Sequence, residues 1–301
     1  MLTLESLRDL ALAHAGTLAA SVRSFDLGGR FFDWNAGPRL MGVVNLSPDS
    51  WYRESVCLTT EAAIARGRRL ALEGAALVDV GAESSVLTAT RANDALQMDR
   101  LLPVIRGLSE AGILVSAETY RLPVARACLD AGAKVLNLTG TTDAADFFRL
   151  AAERAAAVIL CYVEGAHVRA VNDFALDEDP VPKLHDFFAR RVEEAVRLGV
   201  TRILLDPGLG FYYRNLQDSA TRVLHQMRTF LNTFRLRELG WPVCHALPHA
   251  FEYFREEVRC AEPFFAVLAL LGKTDLLRTH EIARVRAVCE TLGVSRGPRA
   301  L

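Results

Sequence analysis

Several features are missing from this 301-residue sequence, and each absence narrows what the chain can be. It has no Cys-x-x-Cys pair. Its six cysteines, Cys57, Cys128, Cys161, Cys244, Cys260 and Cys289, are scattered singly, which disfavours a zinc site and a disulfide framework and favours buried structural thiols. No charge excess exists either: Lys+Arg 35 against Asp+Glu 36 leaves a net charge of -1. A chain so balanced has no basic field to hold nucleic acid or an anionic membrane surface, so any anion site must be local. Charges interrupt every apolar stretch well short of about 18 residues, and no basic segment followed by an apolar one opens the chain. Neither a membrane span nor a signal peptide is expected, and the expected location is the cytoplasm.

What is present is a large apolar fraction, 51%, in a length that suits one α/β barrel better than two ordinary domains. From Leu40 onward, short apolar runs alternate with longer helical stretches, the pattern of parallel strands joined by covering helices. Strands are expected near Leu40–Asn45, Ala76–Val80, Leu114–Ala117, Val135–Leu138, Ala157–Cys161, Ile203–Asp206, Val243–Ala246 and Leu276–Thr279. Helices are expected near 60–73, 91–111, 121–131, 143–155, 183–198, 217–239, 262–271 and 281–292, several ending at a glycine such as Gly74. Eight right-handed units close a (β/α)8 TIM barrel. A doubly wound open sheet is the alternative, but the Gly-x-Gly-x-x-Gly turn of its dinucleotide sites is missing. Residues 3–20 read as an amphipathic helix and Ser24 to Trp34 as a hairpin turning at Gly28-Gly29, suited to capping the barrel's bottom. Residues 1–38 would then pack on a single barrel domain formed by 39–301.

Polar residues recur where the strands end: Asn45, Asp79, Glu118, Asn137, Asp206, and the pair Arg278 and His280. A lone carboxylate at a strand end is as often a helix cap as a functional group. In a barrel, however, all these ends meet at one mouth, so residues scattered in sequence form one site.

The stretches carrying these residues resemble the dihydropteroate synthases. Leu40-Met41-Gly42-Val43-Val44-Asn45-Leu46-Ser47-Pro48-Asp49-Ser50 is similar to that family's first-strand motif, with Ser47 in place of threonine. Leu77-Val78-Asp79-Val80-Gly81-Ala82-Glu83-Ser84, Ser116-Ala117-Glu118-Thr119-Tyr120, Leu205-Asp206-Pro207-Gly208-Leu209-Gly210-Phe211 and Leu277-Arg278-Thr279-His280-Glu281 resemble later family motifs in order. The resemblance covers nearly everything after residue 24 and implies a TIM barrel that joins a hydroxymethyl-dihydropterin diphosphate to an arylamine. It implies that Glu118, Asn137, Asp206, Phe211 and Asp79 bind the pterin, with Glu118 standing where the family has aspartate. It further implies that Arg278 and His280 hold the diphosphate and that Asn45 serves Mg2+. Asn45, Arg278 and His280 become the expected catalytic groups.

The sequence departs from the family on the acceptor side. Ser85-Val86-Leu87 replaces a threonine-arginine-proline loop, Pro248-His249-Ala250 replaces serine-arginine-lysine, and Arg53 stands where a second aspartate is usual. Gly210-Phe211-Tyr212-Tyr213, followed by Arg214, replaces glycine-phenylalanine-glycine-lysine. A pterin-dependent methyltransferase and a non-catalytic pterin binder are the competing functions. The apolar last helices allow a homodimer.

Overall fold

The computed structural model describes residues 2–84, 89–171, 173–174, 176–210, 213 and 218–294. Parallel strands β3 (Arg39–Asn45), β4 (Leu77–Gly81), β5 (Val115–Thr119), β6 (Val135–Leu138) and β7 (Ala157–Cys161) follow an N-terminal helix α1 (Leu4–Ala13) and the hairpin β1 (Phe25–Leu27) and β2 (Arg30–Phe32). A second hairpin, β8 (Gly165–His167) and β9 (Ala170–Val171), precedes the last three barrel strands, β10 (Ile203–Asp206), β11 (Cys244–Ala246) and β12 (Leu276–Thr279). The sheet order is β10-β7-β6-β5-β4-β3-β12-β11. Its two ends meet through a parallel bridge between Leu205 and Val243, with the Leu205 N–H donating to the Pro242 carbonyl at 2.9 Å. The sheet therefore closes into the barrel expected from the strand count.

The strands are near-continuous apolar runs because both of their faces are covered; along β3 only Arg39 is exposed and Asn45 half-buried. Covering helices are α2 (Thr60–Glu73), α3 (Asp94–Glu110), α4 (Leu122–Asp130), α5 (Ala144–Glu153), α6 (Val181–Arg197) and α7 (Ser219–Leu236). A short α8 (Phe251–Phe254) precedes α9 (Ala261–Leu271) and α10 (Ile282–Gly293). Gly74 ends α2 at φ +115°, where a side chain would be strained, and its N–H returns to the carbonyls of Leu70 and Ala71.

The hairpin β1–β2 sits under the barrel. Gly28 abuts Leu114 and Lys134, which lie at the N-terminal ends of β5 and β6, and Arg202 Nε donates to the Asp26 carbonyl at 2.6 Å. Leu27, Phe32 and Trp34 are buried there, Phe32 stacked on Trp34 at 5.1 Å. The first helix is shorter than its sequence pattern predicts. Thr3 and Ser6 form a capping box, but the chain leaves the helix at His14, and Leu4 and Leu12 remain exposed. With no fully buried side chain along it, α1 stops before Gly16, and the chain continues only as a 3-10 turn at Thr17–Ala19. The hairpin β8–β9 was not expected, because its run is too short and polar to register as strands.

Register places the site. Asn45 pairs with Gly81, Gly81 with Glu118, and Glu118 with Asn137, so three of the strand-end residues stand on one rung. Asp79 and Ser116 pair with each other two residues lower, and Asp206 pairs with Cys161 on the far side.

Candidate active site

The strand ends surround a cavity of about 370 Å³ lined by Asn45, Glu118, Asn137, Asp206, Arg278 and His280, together with Tyr52, Glu83, Cys161, Gln226 and His249. A larger hollow of about 690 Å³ lies at the opposite end, beside Pro38, Trp34 and Asp275, where barrel residues serve stability. The buried carboxylate there is already paired with Arg237.

A connected polar network forms the floor of the upper cavity. Arg278, from β12, places Nε 2.8 Å from Asp79 Oδ2 and Nη2 2.6 Å from Glu118 Oε2. Asp79 is fully buried and also accepts from Ser116 Oγ at 2.6 Å and Asn137 Nδ2 at 3.1 Å. One strand-end acid thus lies beneath the cavity and fixes two of the residues that line it. Asp206 Oδ1 accepts the Gly208 N–H at 2.8 Å, a turn closed by the Pro-Gly that ends β10. Cys161 Sγ lies 3.3 Å from Asn137 Oδ1 and 3.6 Å from Asp206 Oδ2. Burial pushes its thiol well up, so it stays a neutral S–H donor.

Three acids around one guanidinium leave the charge unbalanced, and burial shifts the titrations accordingly. Glu118 is pushed up to about 7 by burial, with Asp79 adding and Arg278 opposing. Burial raises Asp206 to about 6 against the pull of the Gly208 N–H and Arg278. Arg278 is held firmly charged: the loss of water works against it, and Asp79 and Glu118 overcome that loss. Burial lowers the His280 imidazole to about 4, leaving it neutral at pH 7.

Of the residues expected from sequence, Asn45, Glu118, Asn137, Asp206, Arg278 and His280 converge on the cavity, and Asp79 supports it from below. Phe211 lies outside the described residues, as do Ser85, Val86, Leu87 and Arg214. The Arg278 guanidinium pairs with Asp79 and Glu118, and not with Glu281, which instead accepts from Tyr52 and Arg259. Arg53 turns back to the Pro48 carbonyl at 2.6 Å. Sequence reasoning missed Cys161 as a lining residue, although it ends its strand as the others do. It also missed Glu262, whose position inside an apolar helix gives no sign that its carboxylate reaches the end of β12.

Asn45 offers a coherent oxygen for a hard cation. Its Nδ2–H donates to Ser55 Oγ at 2.6 Å, which orients the amide and leaves its side-chain oxygen as the ligand atom. Mg2+ needs few protein oxygens when phosphate and water supply the rest, so the residue fits that ion.

Comparison with known proteins agrees with this geometry. The sequence profile of the pterin binding enzyme family matches residues 41–247. A dihydropteroate synthase of Synechocystis is 26% identical over 277 residues, spanning 88% of this chain and 92% of that protein. Another, from Streptococcus pyogenes serotype M6, is 32% identical over 209 residues, spanning 68% and 72%. In a bifunctional folylpolyglutamate synthase/dihydropteroate synthase of Haloferax volcanii, 34% identical, the match spans 91% of this chain but 32% of that protein. Among solved structures, Xanthomonas albilineans dihydropteroate synthase with 4-aminobenzoic acid superposes with a TM-score of 0.76 at 28% identity, covering 93% of this chain and all of that one. The same enzyme in complex with 7,8-dihydropteroate gives 0.73 at 27%, covering 92% and 100%. The chain belongs to the pterin-binding enzyme family and, within it, to the dihydropteroate synthases.

Proposed function

We propose that the protein is a transferase of folate-type biosynthesis that couples a hydroxymethyl-dihydropterin diphosphate to an arylamine and releases diphosphate. The observation that carries this assignment is the single polar floor in which Asp206, Asn137, Glu118 and Arg278 line one cavity at the barrel mouth. An amino-pyrimidinone edge presents adjacent N–H donors, which Asp206 accepts as a carboxylate while Asn137 completes the pattern. Left unpaired in a buried site, that carboxylate would cost on the order of 1–3 kcal/mol, so rings lacking the donors are rejected.

At the other end of the ligand, Arg278 commits Nε and Nη2 to Asp79 and Glu118. Its remaining N–H groups face the leaving diphosphate. Neutral His280 already spends its one N–H on Glu262 Oε1, so its Nε2 donates to the diphosphate once the bound anion draws a second proton onto the ring, and Asn45 would hold Mg2+. When bound, the ion neutralises charge on the departing oxygens. The amine nitrogen attacks the exocyclic methylene carbon, the carbon–oxygen bond to diphosphate breaks, and the amine gives up a proton. Arg278 and His280 donate where negative charge grows. The exposed apolar residues Phe264 and Leu271 of α9 and Leu292 of α10 support a homodimer through these helices. Amine-dependent release of diphosphate is the experiment that tests the assignment.

A further inference from the structure

The structure carries a cluster of metal-ligand side chains that shares only His280 with the coupling reaction. His249 Nε2, Glu262 Oε1 and His280 Nδ1 converge from the loop after β11, the first turn of α9 and the end of β12. Their separations are 3.1 Å (His249 to Glu262), 2.6 Å (His280 to Glu262) and 3.3 Å (His249 to His280). We propose that these three side chains form a binding site for a divalent ion of the zinc class, distinct in chemistry from the oxygen site at Asn45.

The triangle has the size such an ion requires. With metal–ligand bonds of about 2.0–2.1 Å, neighbouring tetrahedral ligands lie about 3.3 Å apart. Two of the three separations are within about 0.2 Å of that, and an ion would part only the closest pair, from 2.6 Å. Hydrogen bonds already draw the three groups together: Glu262 Oε1 lies against both rings, and the two ring nitrogens are within hydrogen-bonding distance of each other at 3.3 Å, so the ligand atoms stand at nearly the spacing an ion needs.

The surroundings hold the ligands in place. Glu262 is fully buried, and its other oxygen accepts from Thr279 Oγ1 and from the backbone N–H groups of His280 and Glu281, leaving Oε1 turned to the two rings. Such outer contacts are what orient metal ligands. Tyr52 stacks on both imidazoles, at 4.9 Å from His249 and 4.5 Å from His280, and fixes their planes. Both histidines line the cavity, which gives the ion a path in and an open coordination position facing it. Two nitrogens and one carboxylate oxygen suit zinc or its neighbours and not Mg2+. On the assignment made under Proposed function, the open position faces the diphosphate end. There the ion would supply positive charge beside the loop in which Pro248-His249-Ala250 carries no lysine. The binding itself is independent of that assignment.

The test is a Co2+ titration of the full chain after chelator stripping, read by visible absorption. The expected result is one ion per chain with the strong ligand-field bands of a four- or five-coordinate site, displaced by Zn2+ and untouched by excess Mg2+. His249→Ala, at the cavity wall, should weaken binding at least tenfold while circular dichroism stays unchanged, and Glu262→Gln should do so where it folds. His225→Ala and Cys260→Ser should bind as the parent does. The weak spectrum of hydrated Co2+, or equal affinity in the parent and His249→Ala, would overturn the site. Amine-dependent diphosphate release in Mg2+ alone would stand or fall separately.

Discussion

The Arg278 guanidinium lies 2.6 Å from Glu118 Oε2, while its Nε holds Asp79, so one cation pairs with acids from two different strands. Removing it would leave Asp79 buried without its charge partner. Arg278→Ala should therefore destabilise the fold by about 3–5 kcal/mol, read by denaturant unfolding. In the fraction that folds, it should weaken the diphosphate ester at least tenfold more than free hydroxymethylpterin. Equal losses for the two ligands would assign the arginine a structural role only.

The same pair sets a pH dependence of stability. Because Glu118 titrates at about 7 in the folded chain, against an ordinary carboxylate value near 4.5, the folded state holds its proton more tightly than the unfolded state does. Stability from this group is therefore full below about pH 4.5 and is lost as pH rises toward 7. Glu118→Gln should remove that slope and gain on the order of 2–3 kcal/mol relative to the parent above pH 7. Parallel stability–pH curves for the two proteins would contradict the assignment.

Asp206 imposes the opposite trend on ligand binding. Pterin recognition requires the carboxylate, and in the free protein burial places its titration at about 6. Affinity should fall about tenfold per unit below pH 6, with one proton released on binding there. Asp206→Asn should lose on the order of 3 kcal/mol and the pH dependence together. Calorimetry in buffers of different ionisation heat measures both, and an unchanged affinity in the folded variant would contradict the role.

On the acceptor side, poor use of p-aminobenzoate and low sensitivity to sulfonamides are expected. Pro248 offers no hydroxyl, and Arg53 is bound to its own loop at Pro48. A benzoate carboxylate would lose its water without an equivalent partner, at a cost of several kcal/mol by the usual order for unpaired buried charge. Michaelis constants in the micromolar range for p-aminobenzoate, with ordinary sulfonamide inhibition, would contradict this.

The barrel was legible because its strands are buried on both faces and read as apolar runs, and because strand-end polar residues must meet at one mouth. Asn45, Glu118 and Asn137 fall on one rung for that reason alone. Less legible were contacts set by packing between distant elements. Glu262 looks like a stray charge in an apolar helix until α9 docks on β12, and the Arg278 pairings depend on how far each side chain reaches across the barrel. The length of α1 was misread because amphipathic spacing does not reveal whether a core exists to receive it.

The central claim is tested most directly by incubating the purified chain with Mg2+ and hydroxymethyl-dihydropterin diphosphate, with and without a series of arylamines including p-aminobenzoate. Diphosphate and the coupled product are then quantified together. The predicted result is diphosphate release that requires an amine and matches the coupled product one to one, even where p-aminobenzoate itself reacts slowly. Tight binding of the pterin diphosphate with no release in the presence of any amine would contradict it and leave a pterin-binding protein without transferase activity.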